Sequence, residues 1–369
     1  MNILRVVSDL YPAVVGGIGI HAHEMSKWQA KLGHEVTVYT SNTDKSLAQE
    51  SVAGYKILRF KTILKLGGNS FMPALLSQLF RTRNEFDIIH AHSHLFFSTN
   101  LCALVRRIGS PPLVITNHGL KSQTVPMWIQ KIYIPTVAKW TFKSADTIIC
   151  YTEEEKSMLK QLGIDSDKIV VIHNGTDTTM FVPGGKEKNN TQILWIGRFT
   201  PGKGVEYLID AFNTLIKDCP DVQLNMIGKG PLKNEIEQKI QDLDLCGSIN
   251  IKEFVPNSDL PGTYQSSDVF VLPSLDEGVP RTILEAMACG VPVVCTELPQ
   301  LVAIVKGCGI LVPLKDPQAL AEALSKIISD RELGQKFGEA GRTKVVKNYS
   351  WGDTVKKTIE LYEVIVGGK

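Results

Sequence analysis

Cysteine is scarce in this 369-residue chain and poorly placed for bridging or metal binding. Cys102, Cys150, Cys219, Cys246, Cys289, Cys295 and Cys308 are odd in number, scattered, and never in C-x-x-C spacing. They read as reduced, small core residues rather than as a disulfide framework or a thiolate metal site. Long apolar runs are missing too: no window of about 18 apolar residues occurs, which excludes a spanning helix. The start, Met1-Asn2-Ile3-Leu4-Arg5, lacks the basic region and apolar segment of a secretory signal. A cytoplasmic location is therefore expected. Short-period repeats and low-complexity tracts are absent, and no histidine occurs after His173.

Acidic residues are nearly missing from one long stretch. Between Ser51 and Ala145 only Glu85 and Asp87 are acidic, against twelve bases, although the whole chain nets only +2. Such an excess attracts anionic surfaces. Around Met127-Trp128-Ile129, Ile132-Tyr133-Ile134 and Trp140-Thr141-Phe142 the lysines alternate with bulky apolar and aromatic side chains, the composition of a segment lying on a membrane. Lys121, Trp128, Lys131, Lys139, Trp140 and Lys143 are the expected contacts with an anionic membrane surface, peripheral on the inner face of the cell membrane. Core-packing helices with solvated lysines are the alternative. Tyr55 to Leu66 is a second basic, apolar stretch open to the same two readings. Nucleic acid is not an expected partner.

Hydrophobic residues make up 43% of the chain, enough for a packed core throughout, and the length suits two domains. The apolar run Ile3 to Val7, the loop Gly16-Gly17-Ile18-Gly19, a helical stretch to Leu32 closed by Gly33, and Glu35 to Tyr39 form a βαβ unit. Strands are expected at 88–90, 113–116 and 147–150. Turn formers and the polar run Lys186 to Thr191 mark a linker. A second alternating series begins at Ile193 to Ile196 and continues through Val222 to Ile227, Val269 to Leu272 and Val291 to Cys295. Alternation of this kind gives parallel sheets covered by helices, with ligands beyond the carboxyl ends of the strands.

Two constellations carry chemistry. In Ser274-Leu275-Asp276-Glu277-Gly278-Val279-Pro280-Arg281-Thr282-Ile283-Leu284-Glu285 a strand end runs through a loop into a helix. The first helical turn there would offer backbone N–H groups to a phosphate, while Glu277 and Glu285 present two carboxylates to one ligand, one of them suited to a ribose. In Gly197-Arg198-Phe199-Thr200-Pro201-Gly202-Lys203-Gly204, Arg198 can fork phosphate oxygens and Lys203 can add a point charge, which suits a diphosphate leaving group.

These motifs, their spacing, and Asn225-Met226-Ile227-Gly228-Lys229-Gly230-Pro231 between them resemble the retaining GT-B glycosyltransferases of family 4, whose E-x7-E signature Glu277 and Glu285 meet. The likeness covers nearly the whole chain, including Gly16-Gly17, residues 87–92, Thr116-Asn117-His118-Gly119 and residues 171–175. It implies an α/β fold of two doubly wound Rossmann-like domains facing across a cleft. Residues 1–174 would bind the acceptor, with a terminal helix of about 354–369 able to pack back on them. Residues 175–191 would be the linker and 192–353 the nucleotide-sugar domain.

The implied activity moves a hexosyl group, with retention, from a UDP- or GDP-sugar to a lipid, lipid-linked or glycan acceptor at the cytoplasmic membrane face. The resemblance implies that Arg198 and Lys203 bind the diphosphate, Glu285 the ribose and Glu277 a sugar hydroxyl. The backbone at Val279, Pro280, Arg281, Thr282 and Ile283 would hold sugar and phosphate. Phe254 and Val255 would border the base, Gly228 and Gly16 would line the donor site, and Gly17 would let its loop approach the phosphates. His118 would orient the sugar or the acceptor. Val279 and Lys229 depart from the commonest family pattern. Neither a cofactor nor a metal is expected, because Arg198 and Lys203 supply the charge. Three alternatives remain: a transferase acting on a soluble sugar or cyclitol phosphate, a metal-dependent hydrolase using His90, His92 and His94, and a binding protein without turnover.

Overall fold

The computed structural model describes residues 1–13, 16–42, 47–109, 111–121, 125–184 and 190–368. The chain divides into two compact units, Met1–Gly175 with Trp351–Lys369, and Thr176–Ser350.

The first unit holds β1 (Asn2–Val6), β2 (Glu35–Ser41), β3 (Gln49–Val52), β4 (Tyr55–Phe60), the small hairpin of β5 (Leu64–Leu66) and β6 (Asn69–Phe71), β7 (Ile88–His92), β8 (Leu113–Thr116), β9 (Thr147–Cys150) and β10 (Ile169–Val171). Its main sheet runs β10-β9-β8-β7-β1-β2-β4-β3, parallel except where β3 pairs antiparallel with β4. Strands β7, β8 and β9 are buried at every position, so they read as short apolar runs without alternation, as strands covered on both faces must. The strand order reverses between β1 and β7.

The second unit holds β11 (Gln192–Ile196), β12 (Gln223–Ile227), β13 (Ile249–Lys252), β14 (Val269–Leu272), β15 (Val293–Thr296) and β16 (Gly309–Val312) in the all-parallel order β13-β12-β11-β14-β15-β16. Here the reversal lies between β11 and β14. Its core gathers Ile193, Trp195, Phe199, Leu208, Phe212, Met226 and Leu324.

The terminal helix, Trp351–Gly367, belongs to the first unit. Trp351, Thr354, Val355, Thr358, Ile359 and Tyr362 recur at helical spacing and are buried against Ile3, Val7, Ala22 and Met25. Burying an aromatic side chain of this size is worth roughly 4–6 kcal/mol in transfer free energy, which commits the helix to that unit.

Two expectations are corrected. The expected linker 175–191 is not a linker in its described part. The backbone of Thr176 donates to the Tyr349 carbonyl, Arg342 donates to the carbonyls of Thr178 and Phe181, and Gln265 donates to that of Val182. These bonds attach residues 176–184 to the second unit, which begins at Thr176 and not at 192. The polar residues 185–189 lie outside the described residues. The stretch Tyr55 to Leu66 is not a membrane-facing segment along its first half. Tyr55, Ile57 and Phe60 point into the core, and buried Arg59 pairs with Glu50.

Candidate active site

In the second unit both motifs stand at the carboxyl ends of the strands flanking the reversal, β11 and β14, where open α/β sheets take ligands. Backbone hydrogen bonds knit the loops together. Leu275 N–H donates to the Gly202 carbonyl at 2.9 Å, Phe199 N–H to that of Lys229 at 3.1 Å, and Gly197 N–H to that of Ile227 at 3.0 Å. Glycine is required at two points. Gly204 has φ +61, and a Cβ there would sit 2.1 Å from the Pro273 carbonyl oxygen; at Gly228, φ +154, a Cβ would meet the Gly197 carbonyl oxygen at 1.7 Å.

On this frame Lys203 pairs with Glu277, and Ser274 Oγ donates to the same carboxylate oxygen at 2.7 Å. Gln300 holds the Glu277 carbonyl, and Thr296 Oγ1 donates to that of Ser274 at 2.5 Å. Glu285 is buried in the helix Arg281–Ala288; it accepts from Tyr264 Oη at 2.9 Å and from Arg281 at 2.9 Å. Burial, reinforced by the Glu285 charge, pushes the Tyr264 phenol well above its ordinary pKa, so it stays a donor. Pro280 caps this helix in an extended conformation one residue before its first turn. Val279 and Ile283 are buried, Thr282 is half-buried, Arg198 is exposed at the loop surface, and Phe254 is 60% exposed after β13 beside half-buried Val255.

In the first unit Gly16 precedes the helix Gly17–Lys31 in extended conformation, and both glycines face open space. Gly19 is the one held tightly, a Cβ there coming within 2.9 Å of the Asp9 carbonyl oxygen. Thus the unit's own packing does not demand glycine at 16 and 17.

His118 follows β8 with both ring nitrogens engaged, Nε2 with His92 Nδ1 at 3.1 Å and Nδ1 with Tyr151 Oη at 3.0 Å. The group His90, His92 and His94, which the alternative hydrolase reading requires, does not form. Strand β7 ends at His92, Ser93 turns the chain at φ +62, and His94 leaves to pack against Phe142, its ring tilted by 39° at 4.6 Å. Instead His21, His92 and His118 bring one nitrogen each within 4.8 Å of one another. The Arg5 guanidinium lies 2.7 Å from His92 Nε2, so a cation already occupies this neighbourhood, and the three rings read as a hydrogen-bonded network. Two Asp-x-Asp tripeptides, Asp165-Ser166-Asp167 and Asp242-Leu243-Asp244, precede β10 and β13 and so stand at the opposite ends of the strands from the motifs.

Sequence reading missed Arg5, Tyr151, Ser274, Tyr264 and Gln300. Only Arg5 left a signal, a charge inside the apolar run Ile3-Leu4-Arg5-Val6-Val7. The others are ordinary polar residues: Ser274 meets Glu277 within one loop, whereas Tyr264, Gln300 and Tyr151 meet Glu285, Glu277 and His118 from 21, 23 and 33 residues away.

Two doubly wound units built on largely parallel sheets are the parts of a GT-B fold. The structure is similar to that of sucrose-phosphate synthase from Thermosynechococcus elongatus, with a TM-score of 0.86 at 22% identity over 100% of both chains. The family model described as "Glycosyl transferases group 1" matches residues 177–344, and that described as "Glycosyltransferase Family 4" matches residues 15–180. The chain belongs to this glycosyltransferase family. Among its curated relatives, a UDP-Gal:alpha-D-GlcNAc-diphosphoundecaprenol alpha-1,3-galactosyltransferase of Escherichia coli is 29% identical over 78% of this chain and 78% of its own. An alpha-maltose-1-phosphate synthase of Mycolicibacterium smegmatis is 25% identical over 99% of this chain and 100% of its own.

Proposed function

We propose that the protein transfers a hexosyl group, with retention, from a nucleoside diphosphate sugar to a lipid or lipid-linked acceptor. The carrying observation is the second unit's juxtaposition of Lys203 with Glu277 and of Arg281 with Glu285 at the carboxyl ends of β11 and β14. Lys203 and Arg198 bind the diphosphate, whose charge grows as its bond to the sugar breaks. Glu285, already oriented by Tyr264 and Arg281, accepts from the ribose, and Glu277 holds a sugar hydroxyl once Lys203 turns to phosphate. The backbone of 279–283 binds sugar and phosphate, Phe254 and Val255 border the base, and Gly228 lets the chain pass close beneath. No metal is needed to balance the charge.

In the transfer the acceptor oxygen forms its bond to the anomeric carbon on the face that the phosphate leaves. The carbon–phosphate oxygen bond breaks, and the acceptor proton passes to a departing phosphate oxygen.

Support for a lipid or lipid-linked acceptor comes from the helices Met127–Tyr133 and Lys139–Ser144. There Trp128 is 67% and Ile132 63% exposed, among exposed Lys131 and Lys143. Lys121, half-buried Lys139 and partly exposed Trp140 extend the same composition. Among the described residues no helix is long and apolar enough to cross a membrane, so the contact would be peripheral. The galactosyltransferase relative is named for a lipid-linked acceptor. The maltose-1-phosphate synthase relative favours a second reading, a soluble sugar phosphate.

The test is thermal-shift screening against UDP-sugars, GDP-sugars and their free diphosphates, with Glu285→Ala and Arg198→Ala in parallel. A ligand at about 100 times its Kd stabilises by about 2.7 kcal/mol, a readily measured shift. Stabilisation by one nucleotide class, lost in both variants, is expected; no shift with any nucleotide would overturn the reading.

A further inference from the structure

We propose that Arg5 is a positioning residue whose guanidinium, acting through His92, fixes His118 as the neutral tautomer protonated on Nδ1. The assignment follows from what each group can donate. Arginine has donors only. Its NH1 lies 2.7 Å from His92 Nε2, so that nitrogen accepts and carries no proton. A neutral imidazole holds one proton, which leaves it on His92 Nδ1, 3.1 Å from His118 Nε2. That nitrogen must accept in turn, and the proton of His118 is left on Nδ1, donated to Tyr151 Oη at 3.0 Å. His90 follows the same logic on the other side: Nδ1 accepts from Arg5 at 3.3 Å, and Nε2 donates to Thr116 Oγ1 at 2.6 Å.

The neutrality of these rings has its own cause. Arg5 is fully buried, and its partners Ser26, Gln29, His90, His92 and Tyr362, whose phenol burial holds above its usual pKa, are all uncharged. Among the described residues no carboxylate pairs with it. A buried, unneutralised guanidinium costs several kcal/mol in an apolar strand, where valine would pack at no such cost. It also keeps neighbouring imidazoles from protonating. Burial first, and the Arg5 charge after it, hold His90 well below its usual pKa; burial, then stacked His90 and Arg5, does the same to His92. Burial is also the chief cause for His118.

Resting on the proposed transferase reading, the consequence is that His118 cannot take the acceptor's proton. Its Nε2 is filled by His92 and its Nδ1 proton is given to Tyr151, so the departing phosphate accepts the acceptor's proton while the ring presents its carbon edge to the site.

The test uses two-bond proton–nitrogen correlation spectra of protein labelled with ¹⁵N-histidine, with His118 assigned by the signal lost in His118→Asn. The expected wild-type pattern for His118 is a protonated Nδ1 and a bare Nε2. Arg5→Met is expected to convert it to the Nε2-protonated form or a mixture. Arg5→Lys, which still donates, should keep the original pattern. In turnover, kcat in Arg5→Met is expected to fall roughly tenfold to a hundredfold with donor KM unchanged, the loss typical of a misplaced group. A wild-type His118 protonated on Nε2 would overturn the proposal without any variant having to fold, as would an unchanged pattern in folded Arg5→Met. The expected spectra without consumption of any sugar nucleotide would sustain the tautomer assignment and overturn the transferase reading instead.

Discussion

Glu155 is a carboxyl group whose charge is at odds with its place. Buried beside β9, it accepts from the Tyr151 backbone N–H at 2.8 Å, and burial raises its pKa from 4.5 to about 7. The folded state therefore holds the proton more tightly than the unfolded chain. The stability this contributes is complete below pH 4.5 and is lost as pH rises through about 7, amounting to about 3 kcal/mol at one unit of pKa per 1.36 kcal/mol. Glu155→Gln keeps an acceptor for Tyr151 without the charge. It should raise the melting temperature by several degrees at pH 8 and leave it nearly unchanged at pH 4.5, measured by calorimetry against wild type. Legibility at this scale depended on whether a residue's partner was local. Glu277 and Glu285 were readable because a loop and one helix hold both. Tyr151 was not, because its partners His118 and His21 arrive from other segments.

The loop 197–204 shows what an element can reveal. Its glycines were legible as a turn, but not which of them the fold depends on. Gly204 adopts φ +61 beneath the Pro273 carbonyl, whereas a Cβ on Gly202 would meet nothing within 4 Å. Left-handed backbone alone costs a non-glycine residue about 1–3 kcal/mol, and the clash adds to it. Gly204→Ala should lower the melting temperature by several degrees and Gly202→Ala by little, as thermal denaturation of the two variants would show. Equal losses would mean that the loop yields. The strand pattern was readable because fully buried parallel strands are continuous apolar runs. The His90-His92-His94 pattern does not put three rings on one face, because alternation continues only while the strand does, and Ser93 turns it.

For the whole molecule, the sequence pointed to two alternating α/β series but put their boundary late. Residues 176–184 look like a linker by composition, yet their carbonyls are held by Arg342 and Gln265 from far along the chain, a contact that local composition does not encode. The basic stretch between 51 and 145 was legible as charge, and folding divides it into a core strand and an exposed, aromatic-bearing helical region. Changing Lys121, Lys131, Lys139 and Lys143 to glutamine should weaken flotation with anionic liposomes. At about 1 kcal/mol per basic residue near the surface, the loss should be large and should be mimicked by raising the salt. Unchanged flotation would leave the soluble sugar phosphate as the acceptor to pursue.

The first unit is assembled from both extremes of the chain. Arg5 sits in β1, while Tyr362, whose hydroxyl bonds the His90 ring that Arg5 contacts, lies in the helix Trp351–Gly367, made long after it. During translation, at about 5–20 residues per second, the amino-terminal sheet must wait tens of seconds for the helix Trp351–Gly367. The intervening unit, contiguous in sequence, can finish folding first. The nascent first unit thus carries the Arg5 cation without the Tyr362 side of its surroundings until that helix has been made.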